Sequence, residues 1–424
     1  MKKTILPLTG LSGEITIPSS KSHTIRALLI AAMARGESTI INPLDSEDTR
    51  SCVEAIKALG AKIKIEVDRW IVTGTGGDIH PITDIIDVGN SGTTLYLAAG
   101  LAALSSHKIT FTGDDQIKSR PVENLLNSLK DLGAEITLTG KKGCPPFSIK
   151  GPLTGGKTSI ECPTSQYLSS LLLCTPLIDG TTEIEVPLLR EQPYVEMTLK
   201  WLNDQFIMYD TTDFEEFFVP GGQSYSEFVK QVPGDFSSAT FFLCAAAISG
   251  STLTLKGLDM ADTQGDKAVV YMLQEMGCKI ETGLDFIKIE GRPLKGCEID
   301  LNDTPDALPA LAVTACFAKG QTKLFNVPQA RLKETDRISV MKEELEKMGA
   351  IIEELPDGLI ITGQGLESLQ GTEVKGHGDH RVIMSLAIAA LASKGETIID
   401  DISAVSITFP NFFELIKKIS TQQN

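Results

Sequence analysis

Six times along the chain, a short polar stretch rich in hydroxyls, glycine or proline gives way to a long apolar run. The first stretch, Pro18-Ser19-Ser20-Lys21-Ser22-His23-Thr24-Ile25-Arg26, leads straight into Ala27-Leu28-Leu29-Ile30-Ala31-Ala32-Met33-Ala34. The pattern restarts at Gly89-Asn90-Ser91-Gly92-Thr93-Thr94, at Cys162-Pro163-Thr164-Ser165-Gln166 and at Gly234-Asp235-Phe236-Ser237-Ser238. Two further restarts stand at Thr304-Pro305-Asp306 and Gly378-Asp379-His380-Arg381. Serine, threonine and aspartate accept hydrogen bonds from the free N–H groups of a first helical turn. Each apolar run is therefore predicted to be a largely buried helix that opens on polar groups.

Each predicted helix closes on a small loop and a β-rich segment: 38–44, His107–Phe111, Thr181–Val186, Ser251–Leu255, Thr322–Asn326 and Glu396–Ile399. Second helices follow. The first runs from Thr49 to Leu59 and stops at Gly60-Ala61, and Leu132-Gly133-Ala134, Met276-Gly277-Cys278 and Met348-Gly349-Ala350 repeat that stop, glycine being the usual helix terminator. Strands are expected at Lys62–Val67, Trp70–Thr73 and Asp84–Val88. Restarts fall about 70 residues apart, longer than common solenoid periods, so the chain repeats a small α/β unit.

The sixth copy ends at Phe412–Ile419 without closing strands, while two N-terminal strands, Thr4–Leu8 and Glu14–Ile17, lack a unit. The N-terminus is therefore expected to complete the sixth unit. That predicts a discontinuous domain, residues 1–17 plus 234–424 (units four to six), and a continuous one, residues 18–233 (units one to three). The chain would cross twice, near Pro18 and near Pro233-Gly234. Two adjacent crossings suggest a hinge, with the active site in the cleft between the domains.

Composition narrows the function. At 424 residues the chain exceeds one typical core. A net charge of −16 argues against nucleic acid or an anionic membrane as partner. The eight cysteines are scattered without a C-x-x-C pair. No apolar signal region and no membrane-length apolar segment are present. The expectation is a cytoplasmic protein working as a monomer. The five histidines suggest no metal cluster, and no nucleotide-binding glycine motif occurs, so neither metal nor cofactor is expected.

Against that acidic background the helix openings and nearby loops collect Lys21, Arg26, Arg120, Lys333, Arg337 and Arg381. A helix N-terminus with hydroxyls and a cation favours an anion. Each cation alone has a simpler account as a solvated helix-end charge, but their recurrence at equivalent places favours an anionic ligand. Lys333 and Arg337 would share one face if their segment were helical. Asp306 and Glu334 are candidate acid–base groups, with helix capping and a surface ion pair as their alternatives.

These stretches, with Arg120-Pro121, Pro193-Tyr194 and Lys333-Glu334-Thr335-Asp336-Arg337, resemble the enolpyruvyl transferase family over essentially the full length. The resemblance implies two domains, each of three βαβαββ units, in an inside-out α/β barrel. The small-molecule substrates it implies are shikimate-3-phosphate and phosphoenolpyruvate. Lys21, Ser22, Arg26, Thr164, Ser165, Gln166, Tyr194, Asp306, Gln329 and Lys333 would hold the first. Lys21, Gly92, Arg120, Gln166, Arg337 and Arg381 would hold the second. Enolpyruvyl transfer would proceed by addition and elimination, with Lys21, Asp306 and Glu334 as the catalytic groups.

Four positions depart from the family pattern. Tyr96 and Gln329 replace an arginine and an asparagine, Glu191 a serine, and Ile407 a lysine. Two other readings compete. The sister transferase acting on UDP-N-acetylglucosamine typically has Asn where Ser22 stands, and a reactive cysteine within the segment that here reads Gly113-Asp114-Asp115-Gln116-Ile117. The second is a catalytically silent, anion-binding homologue.

Overall fold

All six apolar runs are helical in the computed structural model, which describes residues 1–8, 10–365 and 368–420. Helices alternate along the chain between an inner and an outer kind. The first half carries α1 (Lys21–Met33), α2 (Glu47–Ala58), α3 (Gly92–Ala102), α4 (Glu123–Asp131), α5 (Gln166–Cys174) and α6 (Gln192–Asp204). The second carries α7 (Phe236–Ser249), α8 (Val269–Glu275), α9 (Leu308–Cys316), α10 (Arg337–Lys347), α11 (His380–Ala392) and α12 (Phe412–Ile419). Odd-numbered helices are buried on nearly every side; every residue of α1 from His23 to Met33 is buried. Having no polar stripe, they cannot face water. Even-numbered helices keep charged residues outward.

Among the described residues the strands form six sheets. In one of them Ile85–Asp87 pairs parallel with Ile109–Thr112, which pairs antiparallel with Phe147–Lys150, itself antiparallel to Glu135–Leu138. Helix α3 is the crossover between the two parallel strands, as a parallel pair requires. Four other sheets repeat this order, and the sixth has three strands. Contacts divide the chain into two compact units, Met1–Pro18 with Pro233–Asn424, and Ser19–Val232. Each has its own hydrophobic core.

The N-terminal strands do not both complete the sixth unit. Lys3–Ile5 does, pairing antiparallel with Thr397–Ile399. Ser12–Thr16 instead pairs parallel with Thr252–Lys256, in the sheet that follows α7. The corresponding place beside Glu37–Ile41, after α1, is filled by Val229–Gln231. Each crossing thus parts a lead strand from the helix that follows it in sequence. Pattern alone gives such a strand no partner, because an isolated short strand pairs equally well on either side of a break.

Four outer helices stop at a glycine in the left-handed region, with φ of 101° at Gly60, 101° at Gly133, 118° at Gly277 and 95° at Gly349. Without a Cβ, glycine adopts this conformation freely. Gly100 inside α3 has another reason: a Cβ there would lie 2.6 Å from Ser170 Oγ and 2.7 Å from Ser170 O on α5. Gly100→Ala should therefore destabilise the protein by about 1–3 kcal/mol, overpacking outweighing the helix-propensity gain of about 1 kcal/mol. Urea unfolding of the variant checks this.

Candidate active site

Within Ser19–Val232 the inner helices bring their openings to bear as follows. Ser20 caps α1, its side chain accepting from His23 N. Lys21, first in the helix, pairs with Asp48 Oδ2 at 2.9 Å, a residue in the first turn of α2. Arg26, one turn on, is 1% exposed. Its guanidinium donates to Ser22 O (3.2 Å), Tyr194 O (2.9 Å), Thr198 Oγ1 (2.9 Å) and Ser169 Oγ (3.5 Å). Burial pushes Arg26 down to about 10. It ties α1 to α5 and α6, and so fixes Ser22 and Tyr194 relative to one another.

Thr164 and Ser165 open α5, and their donors converge on one oxygen. Thr164 Oγ1 donates at 3.1 Å, Ser165 Oγ at 3.1 Å and Ser165 N at 3.4 Å, all to Oε2 of Glu191. Next to them Gln166 Oε1 is buried without a hydrogen-bond partner. At the opening of α3, Ser91 accepts from Thr94 N. A Cβ at the following residue, Gly92, would meet only Tyr96 Cε2, at 3.8 Å. Tyr96 is buried and packs edge-on to Tyr167, centroids 5.2 Å apart. Tyr167 donates to Pro121 O at 2.6 Å, next to Arg120, which is itself buried. Burial raises the Tyr167 hydroxyl well above its ordinary pKa, so it stays a donor.

Within the other unit, Arg337 is the centre. It is 1% exposed and meets three carboxylates: Asp306 Oδ1 at 2.7 Å, Glu334 Oε2 at 2.5 Å and Asp379 Oδ2 at 2.8 Å. Burial would lower its pKa, but Asp379, Glu334 and Asp306 outweigh burial and raise it. Arg381 Nη2 meets Asp306 Oδ2 at 2.8 Å. Burial would push Asp306 up, yet Arg381, Lys333 and Arg337 together hold it well below the usual carboxylate range. Asp306 is thus no helix cap but an ionised group clamped between arginines, and Glu334 is no surface ion pair.

Lys333 and Arg337 do not share a helical face. Asp336 caps α10, which begins at Arg337, so Lys333 to Thr335 form a loop that folds back over the arginine. Gln329 is buried in the preceding turn and donates to Asn302 O at 2.9 Å. Ile407 ends a short turn and packs partly against the core.

Sequence reading passed over Asp48, Asp379 and Asp266. Asp379 was visible as the acid before His380-Arg381, and it both caps α11 and bonds Arg337. Asp266 lies far from any motif. It is buried, accepts from Ser237 Oγ, and is pushed up to about 7 by burial and then by Asp306. Glu343, Glu344 and His377 also gather, with ligand atoms within 4.8 Å of one another. The Lys347 ammonium already pairs with both glutamates, at 2.9 and 2.8 Å, which removes the need for a metal ion there.

Hydroxyls, helix N-termini and buried arginines in one repeated framework are the groups that recognise small anions. The family model for EPSP synthase (3-phosphoshikimate 1-carboxyvinyltransferase) matches residues 6–416, and the chain belongs to this family. It is 52% identical over 407 residues to the 3-phosphoshikimate 1-carboxyvinyltransferase of Acetivibrio thermocellus, covering 96% of each chain. To the Methanocaldococcus jannaschii protein of the same name it is 41% identical, again over 96% of each. Its fold matches the solved structure of the Acinetobacter baumannii EPSP synthase with a TM-score of 0.83 and 30% identity, over 99% of this chain and 98% of that one.

The raised pKa of Asp266 has a consequence for stability. Between the ordinary aspartate value near 4 and about 7 the folded state holds a proton that the unfolded state has released. Stability from this group therefore falls as pH rises across that window. Asp266→Asn should flatten this component, with the two proteins diverging as pH rises and differing most from about pH 7 upward in denaturant titrations run from pH 4 to 8.

Proposed function

We propose that the chain transfers the enolpyruvyl group of phosphoenolpyruvate to the 5-hydroxyl of shikimate-3-phosphate, releasing phosphate. The observation that carries this, beyond full-length family membership, is Asp306 held ionised between Arg337 and Arg381. A carboxylate in that position accepts a hydrogen bond from a hydroxyl, while the arginines receive an anion. Lys21, Ser22, Arg26, Thr164, Ser165, Gln166, Tyr194, Asp306, Gln329 and Lys333 are assigned to shikimate-3-phosphate, Arg26 mainly by fixing Ser22 and Tyr194. Lys21, Gly92, Arg120, Gln166, Arg337 and Arg381 are assigned to phosphoenolpyruvate.

In the addition step the hydroxyl oxygen bonds to the enol carbon and gives up its proton, while the methylene carbon gains one. In the elimination step the methyl carbon returns a proton as the bond to phosphate breaks. Asp306 is a weak base while Arg381, Lys333 and Arg337 hold its pKa down. Bound anions offset those charges and raise its pKa, so substrate binding prepares it to take the hydroxyl proton. Glu334 and Lys21 supply the remaining proton transfers, and the arginines hold the anions in place.

The sister chemistry on UDP-N-acetylglucosamine is not favoured. The relatives carry the shikimate name, and burial raises all eight thiols, which leaves no activated cysteine. No helix among the described residues is long and apolar enough to cross a membrane. A cytoplasmic location accords with the free cysteines, and the net charge of −16 disfavours nucleic acid as a partner.

Phosphate release from the two substrates tests the assignment directly. Lys21→Arg keeps the charge but replaces a compact ammonium. Its kcat should fall by roughly 10²-fold or more if Lys21 moves protons, whereas a purely binding role would show chiefly as a raised KM. Gly92→Ala should raise KM for phosphoenolpyruvate while melting at the same temperature as the parent, because only a ligand would meet the added methyl closely.

A further inference from the structure

The donors that the proposed function gives to shikimate-3-phosphate at Thr164 and Ser165 are already engaged by the protein's own carboxylate. Thr164 Oγ1, Ser165 Oγ and Ser165 N all donate to Oε2 of Glu191. Glu191 is 1% exposed, so this is no solvated side chain that happened to fold inward. Its backbone sits in the left-handed region, φ 58° and ψ 41°, which costs a non-glycine residue about 1–2 kcal/mol. Tyr194 N donates to Glu191 O at 3.1 Å, which anchors that turn at the start of α6. Close by, the buried Gln166 Oε1 lacks a hydrogen-bond partner. An anion site has thus been built, and an internal anion fills it.

We infer that Glu191 is a specificity-determining residue: its carboxylate stands in for the acceptor's phosphate and competes with it for Thr164 and Ser165. The inference rests on the proposed function for the identity of the acceptor. A phosphate reaches these donors only when the carboxylate turns away, and the displaced charge then stays nearby and repels it. An acceptor bearing a free hydroxyl at that position meets the opposite situation, because a hydroxyl donates to a carboxylate. Glu191 therefore weakens binding of shikimate-3-phosphate and narrows its advantage over unphosphorylated shikimate. Selectivity of this kind is set as much by what repels the wrong ligand as by what attracts the right one.

Steady-state phosphate release with shikimate-3-phosphate and, separately, with shikimate tests this in the parent protein, Glu191→Ser and Glu191→Gln. Serine removes the competing charge and adds a donor. It should lower KM for shikimate-3-phosphate by roughly tenfold, the scale of a removed like-charge contact, and widen the preference over shikimate by a similar factor. Glutamine keeps the shape without the charge and should fall between. The KM for phosphoenolpyruvate should not follow. An unchanged or raised KM for shikimate-3-phosphate in both variants, with parent-like melting, overturns the inference. Inorganic phosphate alone provides an arm independent of turnover. It should raise the melting temperature of Glu191→Ser more than that of the parent, and equal shifts overturn the inference even if the transferase reading stands. A parent protein that releases no phosphate from shikimate-3-phosphate and phosphoenolpyruvate defeats the functional reading instead, and the inorganic-phosphate comparison still decides the role of Glu191.

Discussion

A helix buried on every side can show polar groups only at its ends. That constraint organises this protein. The inner helices α1, α3, α5, α7, α9 and α11 are apolar nearly all round, so their flanks can do nothing but pack. Ligand-directed chemistry is forced onto their N-terminal openings and the loops before the outer helices. There the free N–H groups and the helix dipole already favour negative charge. Six units repeat this single device, four of them with a continuous βαβ crossover and two with a lead strand taken from a distant part of the chain.

Concentrating cations at buried helix ends creates a second problem, since an unpaired buried charge is expensive. The protein meets it with its own carboxylates. Arg337 is 1% exposed yet bonded to Asp306, Glu334 and Asp379, and Lys21 is paired with Asp48. These acids keep the site folded before any substrate arrives and hold the cations in place. In the proposed function these acids give way in part to substrate anions, so that binding exchanges internal for external counter-charges, and the inferred role of Glu191 extends the same exchange to the donors of Thr164 and Ser165.

The departures from the family pattern have structural accounts of unequal depth. Tyr96 has become core, edge-packed on Tyr167, whose hydroxyl bonds Pro121 O beside Arg120. It supports a cation rather than replacing one. Gln329 spends its amide on Asn302 O and keeps a buried oxygen without a partner. Ile407 packs partly against the core, and nothing in the structure explains its departure from lysine.

The repeat, the α/β class and the polar helix openings were legible in the sequence, because periodic burial leaves a periodic record of apolar and polar residues. The glycine stops at Gly60, Gly133, Gly277 and Gly349 were equally plain, since a left-handed helix terminus selects glycine locally. Lys333, Arg337, Asp306 and Arg381 could be named from motifs, but not their pairing. Lys333 and Arg337 would have shared a face had their segment been helical, but the fold makes Lys333 part of a loop ahead of the helix that Arg337 opens. The parting of the two N-terminal strands, the charge of Asp266 and the grip of Thr164 and Ser165 on Glu191 were decided by tertiary structure alone. Local pattern records what each residue needs, whether burial, a cap or a turn. Which distant residue meets that need depends on contacts between segments far apart in the chain, and no local pattern encodes them.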